Sequence, residues 1–212
     1  GYPGTTGLTA IDYRISDPVT DPENAQAHYT ETLWRLNALF CVYRPSIRNP
    51  LYRYQPAYAV HELPALGNGY ITFGSCTNLG RLTDEVLSTW AQLMQQVPGS
   101  RLLIEGKELD GPTFAEAFSR RCECLGVPRD RLQLMGQDTR NQYLTYHRID
   151  ICLAPFPLNS GTPSFDSLWM GVPFVTLAGQ SFRGRIGTGL LLALGLEDLI
   201  ARDKGGYIEA AQ

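Results

Sequence analysis

Three polar stretches carry residue types suited to holding a phosphorylated ligand. Ser75-Cys76-Thr77-Asn78-Leu79-Gly80-Arg81 offers a fixed positive charge at Arg81, with the side-chain amide of Asn78 within one turn of it. A guanidinium pairs well with phosphate oxygens, although an ordinary loop arginine would read the same way. In Pro155-Phe156-Pro157-Leu158-Asn159-Ser160-Gly161-Thr162-Pro163-Ser164-Phe165-Asp166, Gly161 permits close backbone approach and Thr162 and Ser164 bring hydroxyls and amides to a helix start. Asp166 could accept from ribose hydroxyls there. The same letters also describe a plain capped helix, with Thr162 as N-cap and Asp166 as a first-turn acid. The third stretch, Gln137-Asp138-Thr139-Arg140-Asn141-Gln142, could line a nucleobase pocket or form a solvated turn.

Other chemistries find little support. His28, His61 and His147 share no metal-site spacing, and none lies in a nucleophile motif, so none is nominated as a base. Cys41, Cys76, Cys122, Cys124 and Cys152 are odd in number. The Cys122-x-Cys124 pair has no second pair near it, so the cysteines read as structural thiols of a reducing, cytoplasmic setting, and no metal is expected.

These loops need strands and helices to aim them. From Tyr70 onward, short apolar runs alternate with longer amphipathic ones, the pattern of β-α units building a parallel sheet. Strands are predicted at 70–75, 101–106, 131–136, 150–155 and 173–178. Helices are predicted at Thr83–Gln96, Pro112–Leu125, Arg140–Arg148, Thr162–Met170 and Phe182–Leu194. Thr83 is the N-cap candidate of the first helix, with Asp84 and Glu85 in its first turn and Val86, Leu87, Trp90, Leu93 and Met94 on its apolar face. The second has Pro112 near its start and Gly126 after its end. Residues 1–69 differ: Asn24–Phe40 reads as a helix with one apolar face, and Arg44–Gly69, with Pro45, Pro50, Pro56 and Pro64, reads as an irregular crossing segment.

Composition bounds the partners. The 212 residues are 43% hydrophobic and 18% charged, which excludes general disorder. With 18 basic against 21 acidic residues there is no surplus of the kind a nucleic-acid binder uses, so no nucleic acid is expected. No apolar run approaches the ~20 residues of a membrane span, and the first ten residues lack signal-peptide character, so no membrane is expected either. The chain opens at Gly1 without methionine and Tyr207–Gln212 reads as a helix cut short, so a fragment of a longer protein is expected.

The runs ITFGSCTNLGRLTDEVLSTWAQLMQQVPGSRLLIEG, DICLAPFPLNSGTPSFDSLWMGVPFVTLAGQSFRGRIGTGLL and GLEDLIA resemble the catalytic region of the O-linked N-acetylglucosamine transferase family, glycosyltransferase family 41, of the bacterial type. The opening GYPGTTGLTAIDYRISDPVTDP is similar to the end of that family's amino-terminal catalytic half. The resemblance implies an α/β chain of GT-B type. Residues 70–212 would be its carboxy-terminal Rossmann-like half, and residues 1–69 the tail of the amino-terminal half with the crossing segment.

It further implies an inverting, metal-independent transfer of N-acetylglucosamine from UDP-GlcNAc to Ser or Thr of an acceptor protein. No cofactor beyond that donor is implied, and tetratricopeptide repeats are expected upstream. Arg81 falls where the family has an essential lysine that contacts the donor phosphates, and Asn78 at a neighbouring amide. Gly161, Thr162 and Pro163 fall on the diphosphate loop, Asp166 at the ribose acid, and Gln142, Gly1 and Pro3 at donor-side positions. The family often has histidine where Gln142 stands, aspartate at Ala154 and threonine at Pro163. These departures leave open two alternatives: a binding module that has lost turnover, or a transferase for another donor such as GDP-fucose.

Overall fold

The computed structural model describes residues 4–45, 55–137 and 143–212. Its largest element is a parallel sheet made by the apolar runs that follow residue 70. Six strands, β3 (Thr72–Cys76), β4 (Arg101–Glu105), β5 (Leu132–Met135), β6 (Ile151–Leu153), β7 (Phe174–Leu177) and β8 (Ile200–Ala201), lie in the order β5-β4-β3-β6-β7-β8. All pairings are parallel; Phe73 faces Leu102 on one side of β3 and Ile151 on the other. The chain builds outward from β3 to β5, returns to β6, and builds outward again. This is the doubly wound order, and its direction reverses between β3 and β6.

Both faces of the sheet are covered, as parallel sheets require. Leu102, Ile104, Leu153 and Val175 point into one core with Trp90, Phe118 and Tyr207. Leu103, Cys152 and Phe174 point into the other with Tyr143, Tyr146, Met170 and Leu191. This alternation is the two-residue period of a strand buried on both sides.

The helices are α1 (Pro64–Asn68), α2 (Asp84–Gln96), α3 (Pro112–Cys124), α4 (Thr162–Trp169), α5 (Phe182–Ala193) and α6 (Lys204–Ala210). The hydroxyl of Thr83 caps α2 by accepting from Val86 N–H at 3.3 Å, with Asp84 and Glu85 in the first turn. Helix α3 has Pro112 at its start and closes at Gly126, whose φ of 94° is the left-handed conformation glycine adopts without steric cost. Trp90 Nε1–H donates to Tyr207 Oη at 3.3 Å, and the Tyr207 hydroxyl donates to the Ala154 carbonyl at 3.0 Å. That buried chain ties α2 and α6 to the loop after β6.

The amino-terminal residues depart from the sequence reading. The helix predicted at Asn24–Phe40 is absent: Glu23–His28 forms 3-10 turns, and Thr32–Arg35 is strand β2, paired in parallel with β1 (Tyr13–Ser16). The Gln26 side chain replaces helical bonding locally, donating to the Glu31 carbonyl at 2.8 Å and accepting from Leu33 N–H at 2.9 Å. Thr32-Leu33-Trp34-Arg35 then alternates as a strand does, with Leu33 buried and Trp34 exposed. The predicted helix Arg140–Arg148 is a 3-10 segment over Leu144–Arg148, and its first residues lie outside the described ones. The crossing segment contains a 3-10 turn at Pro56–Tyr58 and the short helix α1 among its described residues. Strand β8 was not anticipated.

Candidate active site

Beyond the carboxyl ends of β3 and β6, where the strand order reverses, the first two candidate loops meet. The Thr77 and Ser160 hydroxyls share a hydrogen bond of 2.8 Å across the crevice. Arg81 Nη1–H donates to the Asn159 carbonyl at 2.6 Å. One of the five guanidinium donors is thereby used to fix the group in place, and an anion in the crevice can take others. Asn78 caps the 3-10 turn Leu79–Arg81, its Oδ1 accepting from Gly80 N–H at 2.8 Å, and this sets where Arg81 leaves the chain.

Asn159 was missed by sequence reasoning. It is 3% exposed. Its side chain donates to the Pro155 carbonyl at 3.2 Å and accepts from Gly187 N–H at 3.2 Å, while its own N–H donates to the Arg183 carbonyl at 3.1 Å. The residue therefore shapes its loop, binds that loop to α5 and presents the carbonyl that holds Arg81. Its neighbours in sequence give no sign of this, because the partners on α5 lie more than twenty positions away. Close approach also requires Gly184, where an added Cβ would stand 2.8 Å from the Pro157 carbonyl oxygen and 2.9 Å from Gly179 Cα.

A cleft of about 290 Å³ opens beside this junction, between the carboxyl ends of β3 and β4 and the start of α4. Among its walls are Cys76, Thr77, Asn78, Glu105, Lys107, Gln137, Tyr146, Pro163 and Asp166. Of the predicted residues, Asn78, Pro163 and Asp166 line it, while Arg81, Gly161 and Thr162 lie outside its described lining. Gln142, Gly1 and Pro3, with most of the third loop, fall outside the described residues.

The start of α4 corrects the capped-helix reading. Gly161, not Thr162, is the N-cap, and it makes no side-chain cap bond; Thr162 is the first helical residue and is exposed. Asp166 is one turn too far along to be a first-turn acid. Ser164 N–H donates to the Gly161 carbonyl at 3.0 Å and Ser164 Oγ donates to the Ser160 carbonyl at 2.6 Å. Pro163 removes one N–H from this helix end.

Charge states within the cleft follow from burial. Burial raises the Asp166 carboxyl above its ordinary range, opposed by hydrogen bonds from the Tyr43 and Tyr143 hydroxyls. Burial pushes the Cys76 thiol well up and that of Cys152 up to about 12, so both are thiols at neutral pH and poor nucleophiles or metal ligands. Glu105, buried at the end of β4, accepts from the Thr145 hydroxyl. Among the described residues no group of three or more His, Cys, Asp or Glu side chains is placed to hold a metal ion. No helix among them is long and apolar enough to cross a membrane.

The carboxyl-end crevice where the strand order of a doubly wound sheet reverses is where Rossmann-like domains place their ligand sites; here Arg81 borders it from the turn after β3 and Asp166 from α4. The architecture is that of the GT-B glycosyltransferases. Residues 58–212 match the model of Glycosyl transferase family 41. The chain belongs to that family.

Over its whole length the chain is 39% identical to a tomato (Solanum lycopersicum) protein named as a probable UDP-N-acetylglucosamine–peptide N-acetylglucosaminyltransferase, SPINDLY, covering 22% of that protein. It is 28% identical over 92% of its length to the Arabidopsis thaliana protein SEC, which bears the same enzyme name, and covers 20% of it. The chain thus spans about a fifth of the curated relatives it matches. Among solved structures, an O-GlcNAc transferase from Thermobaculum terrenum superposes with a TM-score of 0.85 at 32% identity, over 99% of this chain and 38% of that one. The lipopolysaccharide glycosyltransferase WaaG shares the fold, with a TM-score of 0.51 at 17% identity.

Proposed function

We propose that the full-length protein is an inverting, metal-independent transferase that moves N-acetylglucosamine from UDP-GlcNAc to Ser or Thr hydroxyls of proteins. The observation that carries this reading is Arg81, fixed by the Asn159 carbonyl at the switch point beside the cleft that Asp166 lines. Loss of the nucleoside diphosphate concentrates negative charge on the phosphates, and a held guanidinium near the start of α4 stabilises that charge. Asp166 accepts from the ribose, while Asn78 and the Gly161–Pro163 turn border the diphosphate. The reading assigns Gln142, Gly1 and Pro3, which lie outside the described residues, to the donor side. The names carried by the relatives support peptide as acceptor and UDP-N-acetylglucosamine as donor.

Residues 70–212 form the donor-binding half in this reading, and the amino-terminal residues are the remnant of the other half. The parallel pair β1 and β2 supports that division: it leaves Tyr13, Ile15 and Trp34 about 60% exposed, whereas parallel strands are normally covered on both faces. The acceptor-side groups then belong to the remainder of the full-length protein, as do tetratricopeptide repeats.

A second reading, a nucleotide-sugar-binding module without turnover, is favoured by Pro163, which strips an N–H from the phosphate end of α4. The test is a transfer assay on the full-length protein with UDP-GlcNAc and a protein acceptor. Incorporation of the sugar supports the transferase; UDP binding without incorporation supports the module. Residues 1–212 alone are expected to show little or no transfer, and robust turnover by them would refute the division into halves.

A further inference from the structure

The ring of Tyr43 lies flat on that of Phe165, with centroids 5.0 Å apart and planes 6° from parallel, and it tilts against Trp169 at 6.4 Å. Its hydroxyl donates to Asp166 Oδ1, 123 residues away in the chain. The Tyr143 hydroxyl is hydrogen-bonded to the same carboxylate and to Tyr43. Asp166 is thus held from outside the cleft by two tyrosines, one from each flanking segment.

Tyr43 is itself anchored through the residues before it. Phe40 N–H donates to Asp17 Oδ2 at 3.1 Å, and the Phe40 ring meets that of Phe182, at the start of α5, edge-on with centroids 4.9 Å apart. Asp17 Oδ1 accepts from Val19 and Thr20 N–H at 2.9 and 2.7 Å. The path from the amino-terminal residues to the cleft is therefore one short, well-bonded run of chain.

We propose that Tyr43 is a positioning residue of the donor site, its hydroxyl acting with Tyr143 to hold the Asp166 carboxylate where a ribose hydroxyl can donate to it. The inference rests on reading this cleft as the donor site. A carboxylate has lone pairs enough for two tyrosines and a ligand hydroxyl, and donors that fix its plane also reduce the reorganisation needed when the ligand arrives. Tyr43 thereby acts on donor affinity through Asp166.

The hydroxyl's contribution is separable from that of the ring, because Tyr43→Phe keeps the stack on Phe165. In the full-length protein, UDP binding would be titrated calorimetrically between pH 5 and pH 8 for the unaltered protein, Tyr43→Phe, Asp166→Asn and the double variant. Tyr43→Phe is expected to weaken UDP by about tenfold, in line with a hydrogen bond to a charged group. The double variant should bind like Asp166→Asn alone. Losing a donor favours the protonated carboxyl, so the fall in affinity at acid pH should begin at a higher pH in Tyr43→Phe; a merely structural tie would leave that limb in place.

Tyr143→Phe removes the other hydroxyl and should move the acid limb in the same direction, which keeps the test open if Tyr43→Phe does not fold. Unchanged affinity and an unchanged acid limb in Tyr43→Phe, with Asp166→Asn weakened, would overturn the positioning role while leaving the donor site standing. Tighter UDP binding by Tyr43→Phe would make the tyrosine a competitor for the carboxylate and would also overturn it. Unchanged binding by Asp166→Asn would remove both this inference and the assignment of Asp166.

Discussion

The two sheets of the molecule are both parallel, yet they bury their side chains very differently. In the six-stranded sheet Phe73, Leu102, Leu103 and Ile104 are wholly buried, with helices on both faces. In the β1–β2 pair Tyr13, Ile15 and Trp34 remain largely exposed, with the Tyr13 and Trp34 rings edge to face at 6.0 Å. The first sheet is a finished core whose carboxyl end opens into a cleft. The second leaves one face open and is tied to the first by Arg185, which donates to the Thr20 carbonyl at 3.0 Å, and by the Phe40–Tyr43 run.

The largest expected effect of that contrast is on stability. Trp90→Ala, in the finished core, should cost about 3–5 kcal/mol by denaturant unfolding. Trp34→Ala, on the open pair, should change stability by no more than about 0.5 kcal/mol. Equal losses would mean that the β1–β2 face is packed in this chain after all.

A smaller effect is expected at the joint between the loops of the crevice. Asn159→Ala removes the acceptor for Gly187 N–H and the donor to the Pro155 carbonyl, both buried, at a cost of about 1–3 kcal/mol. It should also weaken nucleotide binding, because the lost side-chain bonds anchor the stretch of backbone whose carbonyl holds Arg81. Loss of stability with untouched binding would separate the loop from the site.

The smallest effect concerns the docking of the crossing segment. His61 and His147 stack at 3.8 Å, and each donates from Nε2 to a carbonyl, Pro56 at 3.1 Å and Ala59 at 3.2 Å. Burial first, and then His61, lower the affinity of His147 for a proton. The folded state therefore prefers neutral His147: this contribution is intact above pH ~6.5, the ordinary value, and is lost as pH falls through the lowered one. The hydrogen-exchange protection factors of residues 55–63, corrected for the intrinsic rate, should fall between pH 7 and pH 5, and His147→Phe should flatten the change.

The sequence made the finished sheet readable for a physical reason. Strands buried on both faces leave continuous apolar runs, and α2 and α3 carry their own stop and start residues in Thr83, Pro112 and Gly126. Strand β8, two residues long at the sheet edge, carries too little pattern to read. Asn24–Phe40 misled because its apolar spacing fits a helix, whereas β2 is fixed by pairing with β1 and by the Gln26 side chain.

Arg81 and Asp166 were legible as candidates because they follow strands in segments of the right chemistry, Arg81 in the turn after β3 and Asp166 in the helix after β6. Asn159 and Tyr43 were not. Their roles arise from partners on α5, on Arg81 and on α4, and contacts across 28, 78 and 123 residues leave no local trace.

The central claim is that Arg81, fixed at the switch point, holds the phosphates of a nucleotide. Calorimetric titration of the full-length protein with UDP and with GDP, repeated on Arg81→Ala, tests it most directly. The expected result is saturable binding of UDP that Arg81→Ala weakens by at least about tenfold, as loss of a charge-assisted contact should. Preference for GDP would keep the site and change the donor. Binding of neither nucleotide, or binding that Arg81→Ala leaves unchanged, would contradict the account.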